Sequence, residues 1–171
     1  MAAAFTKAGE ALGDVAHAAQ RARSDVGFSG EAGRAAESLQ RGVAANPQYT
    51  YAQTTAIGHS WGLANITASE GAGAHYDQVI SLSGAWMPEG WAPDPSTTYR
   101  DCSYPDILQY AQEFGVVGEN NVPRRPDSGF SYDPYYEAPS AFDLFNNHNL
   151  IATDSQANKS LLNDVRWEIF G

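Results

Sequence analysis

The chain has 171 residues, of which 43% are hydrophobic and 18% are charged, so it suits one globular domain and is too short for two of ordinary size. Its formal net charge of -10 argues against a nucleic-acid partner, because phosphate counterions would have few cations to replace them. No apolar run reaches the roughly 20 residues of a membrane span. The start of the chain lacks the pattern of a secretory signal, so a cytoplasmic location is the default expectation. The single cysteine, Cys102, excludes an internal disulfide and a thiolate metal site, and is predicted to be a buried structural thiol.

Two helices are predicted before any strand. Residues 2–24 are rich in Ala and carry apolar side chains at spacings of three and four, which indicates an amphipathic helix. A second helix is predicted over residues 31–45, ending at Asn46-Pro47. His17 lies on the first helix and is predicted to be a surface residue. We therefore divide the chain into an Ala-rich N-terminal helix at 1–29 and one domain at 30–171.

A nucleophile elbow is predicted at residues 58–62, where Gly-His-Ser-Trp-Gly fits the GxSxG pattern. Residues 54–57 before it are small and β-branched, as in a buried strand, and residues 63–70 after it predict a short helix. In an elbow the serine occupies a sharp turn, and the flanking glycines leave room where strand and helix meet. Ser60 is thus the candidate nucleophile, the alternative being a structural serine. His59 is expected to point away from it and to pack around the elbow.

The remaining elements follow in order. Strands are predicted at 78–83 and 97–102, with a Pro- and Trp-rich loop between them, and a helix at 106–114. With the elbow strand and intervening helices, they indicate parallel crossover units. Residues 118–142 are dense in Pro, Gly, Asn, Asp and Tyr, and predict a long covering loop. A terminal helix is predicted over 156–170.

The base that a serine nucleophile requires must be a histidine, itself oriented by a carboxylate. On an elbow-type sheet these groups follow in the order Ser, acid, His. His75 lies on the connection out of the elbow helix, before every strand end that could carry the acid, and is predicted to be at the surface. His148 lies in a polar stretch just before the terminal helix. It is the predicted base, with a solvated loop histidine as the alternative.

The acid is expected in a loop at the carboxyl end of a later strand. Asp106 follows the third strand and could also cap the helix that begins at Ile107, and that cap alone is its alternative role. Asp101 lies inside the strand, where its side chain is fixed on one face. We favour Asp106 and keep Asp101 as the alternative.

Three segments carry a resemblance to a known group. Residues 54–70, residues 104–118 and residues 148–152 together resemble the α/β-hydrolases of actinobacteria, a group whose functions are mostly unknown, over the chain from about residue 30. The resemblance implies an α/β fold with a small, mostly parallel sheet and flanking helices. It also implies a triad of Ser60, Asp106 and His148, an ester or acyl-type substrate, and no cofactor or metal.

One departure concerns the oxyanion hole. The α/β-hydrolase fold normally has several strands before the elbow, and an early loop supplies one of the two donors. No strand pattern occurs in the first 48 residues. The Trp61 backbone N–H can supply one donor, and the second has no source in the sequence. The chain therefore matches the C-terminal portion of a partial α/β-hydrolase fold whose N-terminal strands are missing.

Three functional hypotheses follow. The first is a serine hydrolase (an esterase) whose acyl pocket is covered by aromatic residues of the 118–142 loop and of the Trp86–Trp91 segment. The second is an incomplete or non-catalytic hydrolase-like domain that associates through its N-terminal helices and exposed sheet edge, with itself or with a missing N-terminal part. The third is a structural domain with an accidental GxSxG motif, which predicts that Ser60, Asp106 and His148 lie far apart.

Overall fold

The computed structural model describes residues 53–118, 121–135 and 143–171. The two predicted N-terminal helices lie outside these residues, as does the predicted N-terminal region 1–29. The expectation that strands are missing before the elbow also concerns residues outside this range. The described elements are β1 (Thr55–His59), α1 (Gly62–Gly71), β2 (Gln78–Leu82), β3 (Thr98–Ser103), α2 (Ile107–Glu113), β4 (Ser131–Pro134), α3 (Leu144–Leu150), a 3₁₀ turn (Gln156–Asn158) and α4 (Lys159–Phe170). The fold class is α/β, as predicted.

The sheet contains four strands in the order β1-β2-β3-β4, and every neighbouring pair is parallel. The three predicted strands are confirmed to within one or two residues at each end. The prediction of an unbroken loop over residues 118–142 is wrong, because β4 lies inside it. This strand is short and ends in Pro134, so it lacks the apolar alternation that identifies a strand. Pairing with β3 and the 2.5 Å ion pair between Arg100 and Asp133 hold it in place.

Helices cover both faces of the sheet. Val79 and Ile80 are adjacent in β2 and therefore point to opposite faces. Val79 packs with Leu63 of α1, whereas Ile80 packs with Leu161 and Val165 of α4. Cys102 lies on the α4 side and is fully buried, and its burial raises the pKa of the thiol to about 12. The prediction of a buried structural cysteine is confirmed.

Of the described aromatic residues that were expected over the acyl pocket, Trp91 and Phe130 lie near the amino end of β3. Trp91 and Phe130 pack against Tyr99, with ring centroids 5.4 and 5.1 Å from it. In the register of the sheet, Tyr99 pairs with Val79 of β2, and Val79 pairs with Ala56 of β1. Ala56 lies four residues before Ser60, which corresponds to ~13 Å along a strand. The prediction of a cover is therefore wrong for Trp91 and Phe130. Two further aromatics of the predicted cover, at positions 136 and 142, lie outside the described residues.

Trp86, another aromatic residue of the predicted cover, lies beside the elbow. Its ring makes an edge contact with Trp61, with centroids 4.2 Å apart. Both rings pack against a buried cluster formed by the segment after β2 and by α2, which contains Ala85, Leu108 and Ala111.

Within the described residues, no helix combines the length and the apolar character that crossing a membrane requires.

Candidate active site

Ser60 occupies the sharp turn between β1 and α1. Its φ is +55°, in the left-handed region that non-glycine residues rarely adopt. The Ser60 N–H donates to the Leu82 carbonyl at 3.1 Å, and the Ser60 carbonyl accepts from the Ala85 N–H at 3.0 Å. These bonds connect the turn to the end of β2, so the surrounding structure stabilises the strained conformation. The backbone around Ser60 therefore has the form that the GxSxG pattern predicts.

The two glycines of the motif have different surroundings. A Cβ at Gly58 would lie 2.7 Å from the Gly62 carbonyl carbon and 2.8 Å from the Leu63 nitrogen, both of which are backbone atoms. A Cβ at Gly62 would meet no atom within 4 Å. The expectation that both glycines relieve crowding is thus confirmed at Gly58 and wrong at Gly62. The difference arises because the missing Cβ of Gly58 points at α1, whereas that of Gly62 points into open space.

Asp106 is fully buried at the carboxyl end of β3 and has two partners. Its Oδ1 accepts a 2.9 Å hydrogen bond from the Gln109 backbone N–H and so caps α2. Its Oδ2 lies 3.0 Å from Nδ1 of His148. The alternative of a helix cap and nothing more is therefore wrong, since one oxygen caps the helix and the other contacts the imidazole.

The imidazole of His148 connects the acid to the serine. Its Nε2 lies 2.9 Å from Ser60 Oγ, while Nδ1 faces Asp106. Because a carboxylate only accepts, Nδ1 carries the proton and Nε2 is left to accept from the serine hydroxyl. The structure thus brings together three residues that are 88 and 42 positions apart. It contradicts the hypothesis of an accidental motif with distant partners.

His148 lies on a helix and not in the predicted loop. Asp143 caps α3 by accepting from the Asn146 N–H at 3.3 Å, and His148 occupies the last turn. The buried Asn147 donates from Nδ2 to the Pro105 carbonyl at 2.8 Å, next to Asp106. The stretch of Asn and His has low helix propensity, so its sequence gave no helical signal, and tertiary contacts of this kind stabilise it.

A second asparagine joins the base segment to the acid segment. Asn158 is fully buried and accepts at Oδ1 from the Tyr104 hydroxyl, at 2.8 Å. Its Nδ2 donates to the carbonyls of Ile151 and Thr153, at 2.8 and 2.9 Å. The chain after His148 is thereby fixed to the residues that precede Asp106. No pattern in the sequence indicates this role, because a lone Asn at a helix start is typical of an ordinary surface position.

Asp101, the alternative acid, lies elsewhere. It is buried and accepts a hydrogen bond from the Ser81 hydroxyl on the next strand. Burial raises the pKa of this carboxyl to about 7, opposed by the Ser81 hydrogen bond and by the positive charge of Arg124. The carboxyl that contacts His148 is that of Asp106, so the geometry favours Asp106 over Asp101.

Two other histidines can be compared with their predictions, whereas His17 lies outside the described residues. The His75 side chain is 53% exposed and faces Asp94 at 3.4 Å, as expected of a surface residue. His59 packs against the elbow region, as expected, but its partner is His148. His59 Nε2 lies 2.7 Å from the His148 carbonyl oxygen, and the ring centroids are 4.9 Å apart. The contact is not predictable from the sequence, because nothing in a GxSxG pattern indicates where the base segment passes.

Two clefts can be described on the surface of residues 53–118, 121–135 and 143–171. The larger, of about 410 Å³, lies along α2 and is lined by Gln109, Tyr110, Gln112, Glu113, Val122, Arg124 and Arg125. The smaller, of about 370 Å³, lies near the end of α1, where Glu70 accepts hydrogen bonds from Trp91 and Tyr99. Neither is lined by Ser60 or His148.

Among the described residues, no group of three or more His, Cys, Asp or Glu side chains could hold a metal ion.

Comparison with known proteins adds no assignment: no protein-family model, curated protein or solved structure is significantly similar to this chain. The molecule is a small α/β fold with a four-stranded parallel sheet and flanking helices. At the carboxyl ends of the strands, Ser60, His148 and Asp106 form a continuous line of polar contacts.

Proposed function

We propose that this chain is a serine hydrolase of the α/β-hydrolase type that acts on an ester or a related acyl substrate. The observation that carries the proposal is the pair of contacts on His148, 2.9 Å from Nε2 to Ser60 Oγ and 3.0 Å from Nδ1 to Asp106 Oδ2. Three features support it: the left-handed φ of Ser60, the burial of Asp106, and the required chain order of nucleophile, acid and base.

The reaction proceeds in two halves. Ser60 Oγ attacks the acyl carbon while His148 Nε2 takes the hydroxyl proton, and Asp106 stabilises the resulting imidazolium. The tetrahedral intermediate then breaks its bond to the leaving oxygen, which receives the proton from His148. Water then attacks the acyl carbon of the acyl-serine, while His148 takes the proton of the water and returns it to Ser60 Oγ. The ester and water thus become an acid and an alcohol, and Ser60 is regenerated.

The Trp61 backbone N–H is the proposed donor to the oxyanion. Trp61 immediately precedes α1, and the first N–H groups of a helix have no acceptor within the helix. This N–H also stands at the positive end of the helix dipole, next to Ser60. Removing one oxyanion donor typically costs about 100- to 1,000-fold in turnover. The rate of this chain therefore depends strongly on whether a second donor completes the hole.

Labelling with a fluorophosphonate probe tests the proposal, followed by identification of the modified residue. We expect labelling of Ser60 in the folded protein, and none in Ser60→Ala, His148→Ala or heat-unfolded protein. Ser83→Ala is the matched control, because Ser83 also has a positive φ and lies directly after the adjacent strand β2. It should label like the wild type. Absence of label on folded wild type, beside a fully labelled control hydrolase, would refute the proposal.

A second function, association without catalysis, is favoured by one observation. Among the described residues β1 pairs only with β2, and Ile57 on this edge strand is 47% exposed. Exposed strand edges with apolar side chains favour pairing with another chain. Size-exclusion chromatography with a p-nitrophenyl ester assay distinguishes the two functions. An active monomer supports the hydrolase, and an inactive oligomer supports association.

A further inference from the structure

His59 makes a hydrogen bond whose direction can be deduced. Its Nε2 lies 2.7 Å from the backbone carbonyl oxygen of His148. A carbonyl oxygen only accepts, so His59 must donate, and the proton is on Nε2. Burial lowers the pKa of His59 below its ordinary value of 6.5, so the ring is neutral at neutral pH. A neutral donor adds no positive charge beside the His148 ring, which is 4.9 Å away.

The bond joins the base to the strand of the nucleophile. His59 is the last residue of β1, and Ser60 follows it directly. His148 lies in a helix of only seven residues, too short to hold its own position in isolation. Asp106 holds the imidazole of His148 from one side, and His59 holds its backbone from the other. The distance between His148 and Ser60 therefore depends on both contacts.

We propose that His59 is a positioning residue, which donates to the His148 carbonyl and thereby sets the distance from His148 Nε2 to Ser60 Oγ. This inference rests on the proposed hydrolase function. His59 acts through His148 and contacts neither substrate nor the reacting atoms. A misplacement of about 1 Å in a reacting pair can lower a rate by about 100-fold, so loss of the bond affects turnover more than substrate binding.

Two substitutions separate the hydrogen bond from the packing of the ring. His59→Phe keeps an aromatic ring and removes the donor. His59→Gln places an amide nitrogen at the position of Nε2 and keeps the donor. We expect His59→Phe to lower the rate constant for fluorophosphonate labelling of Ser60 by about 10- to 100-fold, since a misplacement of about 1 Å can cost about 100-fold. We expect His59→Gln to recover most of that rate. His75→Phe is the matched control and should label at the wild-type rate.

A second measurement follows the base directly. The NMR resonance of the His148 Nδ1 proton should shift in His59→Phe and return toward its wild-type position in His59→Gln. Where His59→Phe does not fold, His59→Asn replaces it, because its amide is too short to reach the carbonyl. Equal labelling rates for the Asn and Gln variants would then overturn the inference.

The outcomes distinguish this inference from the function on which it rests. Labelling of Ser60 in wild type, together with an unchanged rate and resonance in His59→Phe, overturns the positioning role and leaves the hydrolase proposal intact. Equally slow Phe and Gln variants also overturn it, because the donor would then make no difference. An unlabelled wild type refutes the hydrolase proposal, and this inference with it.

Discussion

Gly58→Ala is the substitution for which the structure predicts the clearest effect. The added Cβ would lie 2.7 Å from the Gly62 carbonyl carbon and 2.8 Å from the Leu63 nitrogen. These are backbone atoms at the start of α1, so no side-chain rotation can relieve the contact. Either β1 or α1 must move, and Ser60 lies in the turn between them.

The size of the effect follows from the distances. Ordinary van der Waals contact begins at 3.4 Å, and 3.4 − 2.7 gives a required shift of about 0.7 Å. Inserting a methyl group into a well-packed site costs about 1–3 kcal/mol of unfolding free energy, or ~2–4 °C of Tm per kcal/mol in a domain of this size. A shift approaching 1 Å between Ser60 and His148 should lower the labelling rate constant by about 10- to 100-fold.

Gly62→Ala is the matched control, because a Cβ at Gly62 meets no atom within 4 Å. Alanine favours a helix over glycine by about 0.5–1 kcal/mol, so this variant should be as stable as wild type or slightly more so. Thermal unfolding and the fluorophosphonate rate constant would be measured for both variants. Equal behaviour of the two, in either direction, would refute the argument that strand and helix approach too closely for a side chain at Gly58.

Three further predictions concern buried polar groups. Asp106→Asn should lower the rate constant for Ser60 labelling by about 1,000- to 10,000-fold, because it disturbs the tautomer of His148. Asp101→Asn should label at a rate within a few fold of wild type. Equal losses in the two variants would contradict the choice of Asp106 as the acid. The pKa of Asp101 is about 7 when folded and 3.8 when unfolded, so the folded state retains this proton to higher pH. Its stabilising contribution is therefore complete below pH 3.8 and is lost as pH rises toward 7, and urea titrations should show this fall in wild type relative to Asp101→Asn. Tyr104→Phe leaves a buried oxygen of Asn158 without a donor and should lower the free energy of unfolding by about 1–3 kcal/mol, as measured by urea unfolding. Tyr135→Phe should lower it by less than about 1 kcal/mol, because the Tyr135 bond to Asp164 is exposed.

The elements with a strong local pattern were predictable. β1, β2 and β3 are rich in β-branched or alternating residues, and α1 follows a motif that requires a helix. α2 has an N-cap at Asp106, which the sequence also indicated. β4 and α3 were missed because distant residues stabilise them, through pairing of Arg100 with Asp133 and of Asn147 with Pro105. Such contacts leave no periodic signal in the segment itself.

The sequence by itself determined Ser60 as the candidate nucleophile, His148 as the candidate base and the order in which an acid and a base must follow, because a serine nucleophile needs both and few residues could serve. Only the tertiary structure decided between Asp106 and Asp101, since both are close to the end of β3 and differ in which carboxyl contacts His148. It also placed His59 against the backbone of His148. These contacts join residues that are 42 and 89 positions apart, and a local pattern cannot encode a distance between segments that meet only after the sheet has formed.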